Sequence, residues 1–357
     1  MADRDIASIV QNCQRFLAGH PRRSVQRLLQ EAAEHPWATL RSDQYGNGGA
    51  VAELEREVAG LLGKEAAVFM PSGTMAQPIA LRIWSDRASN PRVAFHPTCH
   101  LYIHEQMGYR ELHRLEEVLL GHPDRLIEPD DLAAIDVSTV LLELPQREIG
   151  GQLPTWEELV ATVERARAEG ARLHLDGARL WECAPYYSRT YSEIAGLFDS
   201  VYVSFYKVLG GLPGAILAGP ADFIAEARVW QRRQGGNLHQ QSANAITAKM
   251  GMDRHLPKMP DYVSKAQEVA SILSHFPGVR VMPEHPPTNM MHVYFPGDGE
   301  RLIEAALDAA EQEKVCLFLG LGEKNKVELW CGEASLELSK DEITRLFERL
   351  IDAPKIG

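Results

Sequence analysis

Nowhere does this chain run to 18 consecutive apolar residues, so no segment reads as a helix that crosses a bilayer unaided. Positive charge is also in short supply: 37 Lys and Arg face 49 Asp and Glu, a net charge of −12. That balance disfavours nucleic acid and anionic membranes as partners. Cysteine is sparse, with Cys13, Cys99, Cys183, Cys316 and Cys331 scattered and without C-x-x-C spacing. An odd, dispersed set argues against a disulfide framework and a zinc site, and reads as reduced thiols in a cytoplasmic protein. The opening Met-Ala-Asp-Arg-Asp has no basic-then-apolar leader character. Internal repeats and low-complexity stretches are missing as well.

What is present is material for a core, 45% hydrophobic residues in 357, set out in alternating strand and helix signals. Residues 6–16 and 24–33 read as helices around a Gly19-His20-Pro21 break. Residues 52–62 form an amphipathic helix stopped by Gly63. Strands are expected at 66–70, 92–95, 139–144, 171–175, 201–205 and 215–218, with helices after Thr74, over 156–169 and over 221–231. This alternation predicts an α/β fold, a three-layer large domain on a mainly parallel sheet. The last hundred residues read as a smaller α+β domain, with helices at 261–274, 300–313 and 340–351. Its strands are expected at 279–282, 290–295, 315–319 and 326–331. The expected organisation is a helical segment, 1–45, packed on the small domain; a large domain, 46–249; and the small domain, 250–357.

Two strings carry the chemistry. His174-Leu175-Asp176-Gly177-Ala178-Arg179 and Ser204-Phe205-Tyr206-Lys207-Val208-Leu209-Gly210-Gly211 each follow an apolar, strand-like run. Asp176 and Lys207 then fall at the carboxyl edge of a parallel sheet, where open α/β sheets bind ligands. A lysine among apolar neighbours can shed its proton and act as a Schiff-base nucleophile. An aspartate nearby suits a protonated pyridine nitrogen, and the two together are the signature of pyridoxal phosphate enzymes. Alone, each string has a plainer reading, as a snorkelling surface lysine or an Asp-Gly turn. A third element adds weight. Pro71-Ser72-Gly73-Thr74 turns from a strand into a helix and offers N–H groups and hydroxyls to a phosphate. Its plainer reading is a helix cap by Ser72 or Thr74.

With these residues in hand, the chain resembles the threonine aldolase and β-eliminating lyase family of fold type I pyridoxal phosphate enzymes. The resemblance rests on Tyr45-Gly46, residues 69–76, His100-Leu101-Tyr102-Ile103-His104-Glu105, Gly150-Gly151 before Leu153-Pro154, residues 223–228 and the two strings above. It implies that Lys207 holds pyridoxal 5'-phosphate as a Schiff base and that Asp176 pairs with the ring nitrogen. Gly73 and Thr74, with Ser72, are implied to hold the phosphate, and His100 to stack on the ring. Arg179 is implied between the cofactor and the substrate carboxylate. Tyr45 is implied at the partner's site of a homodimer or homotetramer with shared active sites. The implied activity cleaves the Cα–Cβ bond of a β-hydroxy-α-amino acid, giving glycine and an aldehyde. Either His100 or a water held near His104 and Glu105 is the implied base. The alternatives are β-elimination or other Cα chemistry on a different amino acid, and a cofactor-binding protein without catalysis.

The substrate-holding half departs from the family's pattern. Gln146-Arg147 replaces a His-Asn pair. Glu328 stands where a carboxylate-binding arginine is expected, and Gly235-Gly236-Asn237-Leu238-His239-Gln240 lacks a basic residue. Arg147, gained beside the Gly-Gly turn, is therefore expected to hold the substrate carboxylate. Its plainer reading is an ion pair with Glu148 or Glu143. His96, His104 and His174 are read as structural, with the sheet face of His174 left open.

Overall fold

The computed structural model describes residues 4–318 and 320–351. The chain forms two compact units: Ser24–Glu148 with Leu153–Pro257, and Met1–Arg23 with Ile149–Gln152 and Lys258–Gly357. The expected 1–45 segment is thereby divided. Helix α1 (Ile6–Gln11), capped by the Asp5 carboxylate on Ser8 N–H, stops before the two-residue strand β1 (Arg15–Phe16). A helix to Phe16 was expected; instead, β1 pairs in parallel with Val315 and Cys316. Ile9, Val10 and Cys13 pack against Leu307, Ala310 and Cys316, which ties this piece to the smaller unit. Helix α2 (Val25–Glu34) and the residues up to 45 lie in the larger unit, whose last residue is Pro257 rather than the expected 249.

Helix α3 (Gly49–Leu61) leads into the seven-stranded sheet of the larger unit. Its strands are β2 (Ala66–Met70), β3 (Arg92–Phe95), β4 (Glu116–Leu119), β5 (Thr139–Glu143), β6 (Arg172–Gly177), β7 (Ser200–Ser204) and β8 (Ala215–Gly219). The order is β2-β8-β7-β6-β5-β3-β4. From β4 to β7 every pairing is parallel, and β8 runs against both its neighbours. Both faces are covered, so β7 and β8 are buried at every residue, the serines at both ends of β7 included. Helix α4 (Gly73–Ala88) lies across the sheet. Its Ala76, Ile79, Ala80, Ile83 and Trp84 cluster with Val68, Met70, Tyr202 and Leu217 from the strands. A buried side chain such as Ile79 contributes about 1.5–3 kcal/mol by leaving water, and Ile79→Ala would cost about 2–5 kcal/mol once the cavity is counted.

The smaller unit holds β9 (Arg280–Met282), β10 (Met290–Tyr294), β11 (Val315–Cys316) and β12 (Lys326–Trp330). β9, β10 and β12 form an antiparallel sheet with β10 central, and β11 pairs with β1. The strand expected over 315–319 is thus shorter, and its Leu319 lies outside the described residues. Helices Met259–Ser274, Gly299–Glu313 and Lys340–Ile351 supply Val269, Leu273, Leu302 and Phe347 to a core shared with Val281, Val293, Val327 and Leu329. The Gly150-Gly151 pair passes close to this sheet with φ of +84° and +76°. A Cβ on Gly150 would stand 2.2 Å from the Met282 carbonyl oxygen, and one on Gly151 2.4 Å from Met290 Cγ. Both backbone conformation and space demand glycine there.

Candidate active site

Asp176 is the last but one residue of β6 and is 2% exposed. Both of its oxygens are engaged: Gln77 Nε2, reaching down from α4, donates to Oδ2 at 2.6 Å, and the Ala178 N–H donates to Oδ1 at 3.0 Å. The sheet register pairs Asp176 with Glu143 on β5 and with Tyr202 on β7, so all three side chains leave the same face. Glu143 accepts from the Arg147 N–H at 3.2 Å and from Gln146 Nε2 at 3.3 Å. Burial, reinforced by the charge of Asp176, pushes its carboxyl up to about 7. His174, two residues before Asp176, shares that face, which answers the question its sequence left open. Its Nδ1 lies 2.8 Å from Ser200 Oγ, and burial lowers its pKa to about 4, so it is a neutral core imidazole.

Lys207 follows β7 by three residues, in a turn held by the Gly211 N–H to the Phe205 carbonyl at 2.8 Å and the Gly210 N–H to the Lys207 carbonyl at 3.0 Å. Trp181 Nε1 donates to the Ser204 carbonyl at 2.9 Å and fixes the strand end. The lysine is half-buried. Burial lowers its pKa first and the guanidinium of half-buried Arg179 second, against a pull upward from Asp176, Glu143 and Glu182. An amine in that field gives up its proton more readily than one in water.

At the other end of the site, α4 begins at Gly73 with Ser72 as its N-cap, Ser72 Oγ accepting from the Met75 N–H at 3.2 Å. The cap reading of Ser72 is therefore realised. The Gly73 and Thr74 N–H groups precede the first helical hydrogen bond, Ala76 N–H to the Ser72 carbonyl. Thr74 is exposed.

His100 opens the short helix α5 (His100–Ile103) beyond β3, half-buried, with Nδ1 2.9 Å from Oε1 of buried Glu105. Its ring lies 4.9 Å from that of His104, whose Nε2 is 2.9 Å from Glu148 Oε1. The same Glu148 oxygen accepts from Arg147 Nη1 at 2.8 Å, so Arg147 sits in the ion pair that its plainer reading foresaw. Tyr45 points outward, 57% exposed, at φ +52°. The loop that carries it is pinned by buried Asp43, which accepts from the Gln241 N–H at 2.9 Å, Ser242 Oγ at 2.6 Å and the Gly46 N–H at 3.2 Å. Gln77, Glu143 (named only as a possible partner of Arg147) and Asp43 were not singled out as site residues from the sequence. The first two take their meaning from cross-sheet neighbours, whereas Asp43, three residues before a glycine, carried a readable turn signal.

Residues 32–295 match the family model described as β-eliminating lyase, nearly three quarters of the chain. The chain belongs to that family. Among solved structures, a protein from Exiguobacterium sp. 255-15, assigned by name to aromatic amino acid β-eliminating lyases/threonine aldolases, is 42% identical with a TM-score of 0.93. The match covers 98% of this chain and 100% of that one. A Listeria monocytogenes protein assigned by name alone to the L-allo-threonine aldolases is 43% identical with a TM-score of 0.92, over 97% and 98% of the two chains. The low specificity L-threonine aldolase of Escherichia coli is 29% identical over 302 residues, 82% of this chain and 80% of its own. Fold type I members of the family use pyridoxal phosphate. The residues present fit that group: a buried carboxylate, an amine with lowered proton affinity, and free N–H groups at a helix start. Gln77 Oε1 and Ser204 Oγ, both buried, have no hydrogen-bond partner among the described residues.

Proposed function

We propose that this chain is a pyridoxal phosphate-dependent aldolase that cleaves the Cα–Cβ bond of a β-hydroxy-α-amino acid, giving glycine and an aldehyde. One observation carries the reading: the half-buried amine of Lys207, in the field of Asp176, Glu143 and Arg179, lies beyond the edge of the sheet that holds Asp176 fixed by two donors. Lys207 would hold the cofactor through its amine, Asp176 would keep the ring nitrogen protonated, and Ser72, Gly73 and Thr74 would hold the phosphate. Bound pyridoxal phosphate supplies an electron sink for the pair left on Cα. His100 would cover the ring, and Glu105 at Nδ1 favours the tautomer that leaves Nε2 to accept the β-hydroxyl proton, directly or through a water near His104. Arg179 and Arg147 would orient the substrate carboxylate. Outward-facing Tyr45 would complete the site of a second subunit in a cytoplasmic homodimer or homotetramer. The names borne by the relatives from Listeria monocytogenes and Escherichia coli support threonine and allo-threonine as first substrates.

The test is an aldehyde-release screen over threonine, allo-threonine and phenylserine, with glycine measured in parallel. Equimolar glycine and aldehyde, lost in Lys207→Ala together with the borohydride-fixed adduct, is the expected result. Release of a keto acid and ammonia, with no aldehyde from any of the three, would replace aldol cleavage by β-elimination.

A further inference from the structure

The constraint on Gly73 is one of space. A Cβ built there would stand 2.0 Å from the Tyr202 hydroxyl oxygen and 2.3 Å from Cζ of the same ring. Helical Cα–Cβ bonds tilt toward the helix N-terminus. The Tyr202 hydroxyl therefore lies against the first residue of α4, beside the turn whose Gly73 and Thr74 N–H groups precede the first helical hydrogen bond. Tyr202 leaves β7 as the register partner of Asp176, and is 2% exposed. Burial first, then the neighbouring Tyr206 and Asp176, hold its pKa well above the ordinary tyrosine value, so its O–H remains a donor. Ser204, two residues on and leaving the same face, is 1% exposed. Its Oγ stands near the Tyr202 hydroxyl, yet has no hydrogen bond within 3.5 Å among the described residues. A helix capped by Ser72 needs none of this. Two buried hydroxyls gathered at a helix start suit an anion better than a solvent-filled end.

We infer that the Tyr202 hydroxyl is a phosphate ligand of the cofactor, a positioning contact admitted to the α4 N-terminus by the missing side chain of Gly73. This rests on the cofactor assignment made under the proposed function. The hydroxyl acts on the phosphate alone, so it separates pyridoxal phosphate from pyridoxal, which has the same ring and aldehyde.

The experiment titrates both compounds into cofactor-free wild type and Tyr202→Phe, reading dissociation constants by fluorescence and the bound phosphate by 31P NMR. Tyr202→Phe keeps the ring and its packing, and apo-protein unfolding temperatures check that it folds. The variant should bind pyridoxal phosphate about tenfold or more weakly, as expected for one hydrogen bond to a charged group. It should bind pyridoxal as wild type does, and its 31P resonance should move. Gly73→Ala, which drives the hydroxyl away, should reproduce the loss for pyridoxal phosphate. An affinity of Tyr202→Phe within about twofold of wild type overturns the inference, as does equal weakening for both compounds, which would make Tyr202 a packing residue. Wild type that forms no pyridoxal phosphate adduct on Lys207 overturns the functional reading itself. Wild type that forms it while Tyr202→Phe binds equally well overturns only the Tyr202 contact.

Discussion

Glu143 and Asp176 are register partners on adjacent parallel strands, so two carboxyl groups leave the same face at the carboxyl edge of one sheet. They are not equivalent. Asp176 accepts from Gln77 and the Ala178 N–H, whereas Glu143 is pushed up to about 7 by burial and by the charge of Asp176. Glu143 is the member that carries a proton near neutrality, and on the proposed reading Asp176 is the one that meets the ring nitrogen.

The pH dependence of stability should report this. The Glu143 pKa is raised from an ordinary 4.5 to about 7. The protonated carboxyl thus stabilises the fold fully below 4.5, and the contribution is lost as pH rises through about 7. Glu143→Gln removes that dependence. Its Tm should match wild type near pH 4 and exceed it by roughly 2–6 °C at pH 8.5, a difference of about 1–3 kcal/mol for a half-buried group. Differential scanning fluorimetry across that range checks it, and a constant offset would place the proton elsewhere.

Asp176→Asn should retain the cofactor weakly but lose turnover by about 100-fold or more, because a neutral amide cannot supply the charge-assisted bond to the ring nitrogen. Gln77→Leu removes a 2.6 Å donor from the same carboxylate without changing its charge. It should lower kcat by about tenfold and leave the borohydride-fixed adduct on Lys207 intact, since the loss is one of orientation. Steady-state kinetics with adduct quantification separates the two, and near-wild-type turnover in Asp176→Asn would make the aspartate structural.

Tyr45 gives the test for a shared site. The residue is 57% exposed while its N–H donates to the His239 carbonyl at 2.9 Å, so the backbone is anchored and the side chain is presented outward. Mixing inactive Lys207→Ala with an inactive Tyr45→Ala variant should restore roughly a quarter of wild-type activity per random dimer, because hybrid dimers carry one intact site of two. Full activity in a species that sediments as a monomer would refute the shared site.

Much of this fold was legible because its determinants are local. Apolar runs at 66–70, 92–95 and 215–218, and the closing amphipathic helix over 340–351, lie where periodicity puts them. Strand β4, Glu-Glu-Val-Leu at an edge, has neither alternation nor a buried run to announce it. Strand β1 is two residues held by a partner 300 positions away, and no local signal distinguishes it from the end of α1. The site divides in the same way. Asp176, Lys207 and the Ser72-Gly73-Thr74 turn declare themselves by strand ends and turn chemistry. Gln77, Glu143 and Tyr202 sit among apolar residues and acquire meaning only when the register of three strands and one helix is known.

Arg147 decides how the altered substrate half works. Its guanidinium bonds Glu148 Oε1 at 2.8 Å, and Glu148 also takes His104 Nε2 at 2.9 Å, so an incoming carboxylate would compete with Glu148 for the same cation. Arg supplies two parallel donors, enough to bind a substrate carboxylate while one N–H stays on Glu148. If Arg147 holds the substrate, Arg147→Gln should raise KM by about 10- to 100-fold with kcat within a few-fold, the loss of one charge-assisted contact. Glu148→Gln, which removes the competitor and keeps the shape, should then leave KM unchanged or lower it. If the pair is structural, both variants should instead lower stability by similar amounts, about 1 kcal/mol each, and leave KM within about twofold of wild type. Kinetics on allo-threonine alongside thermal unfolding of both variants distinguishes these outcomes, and the second pattern would leave carboxylate recognition to Arg179.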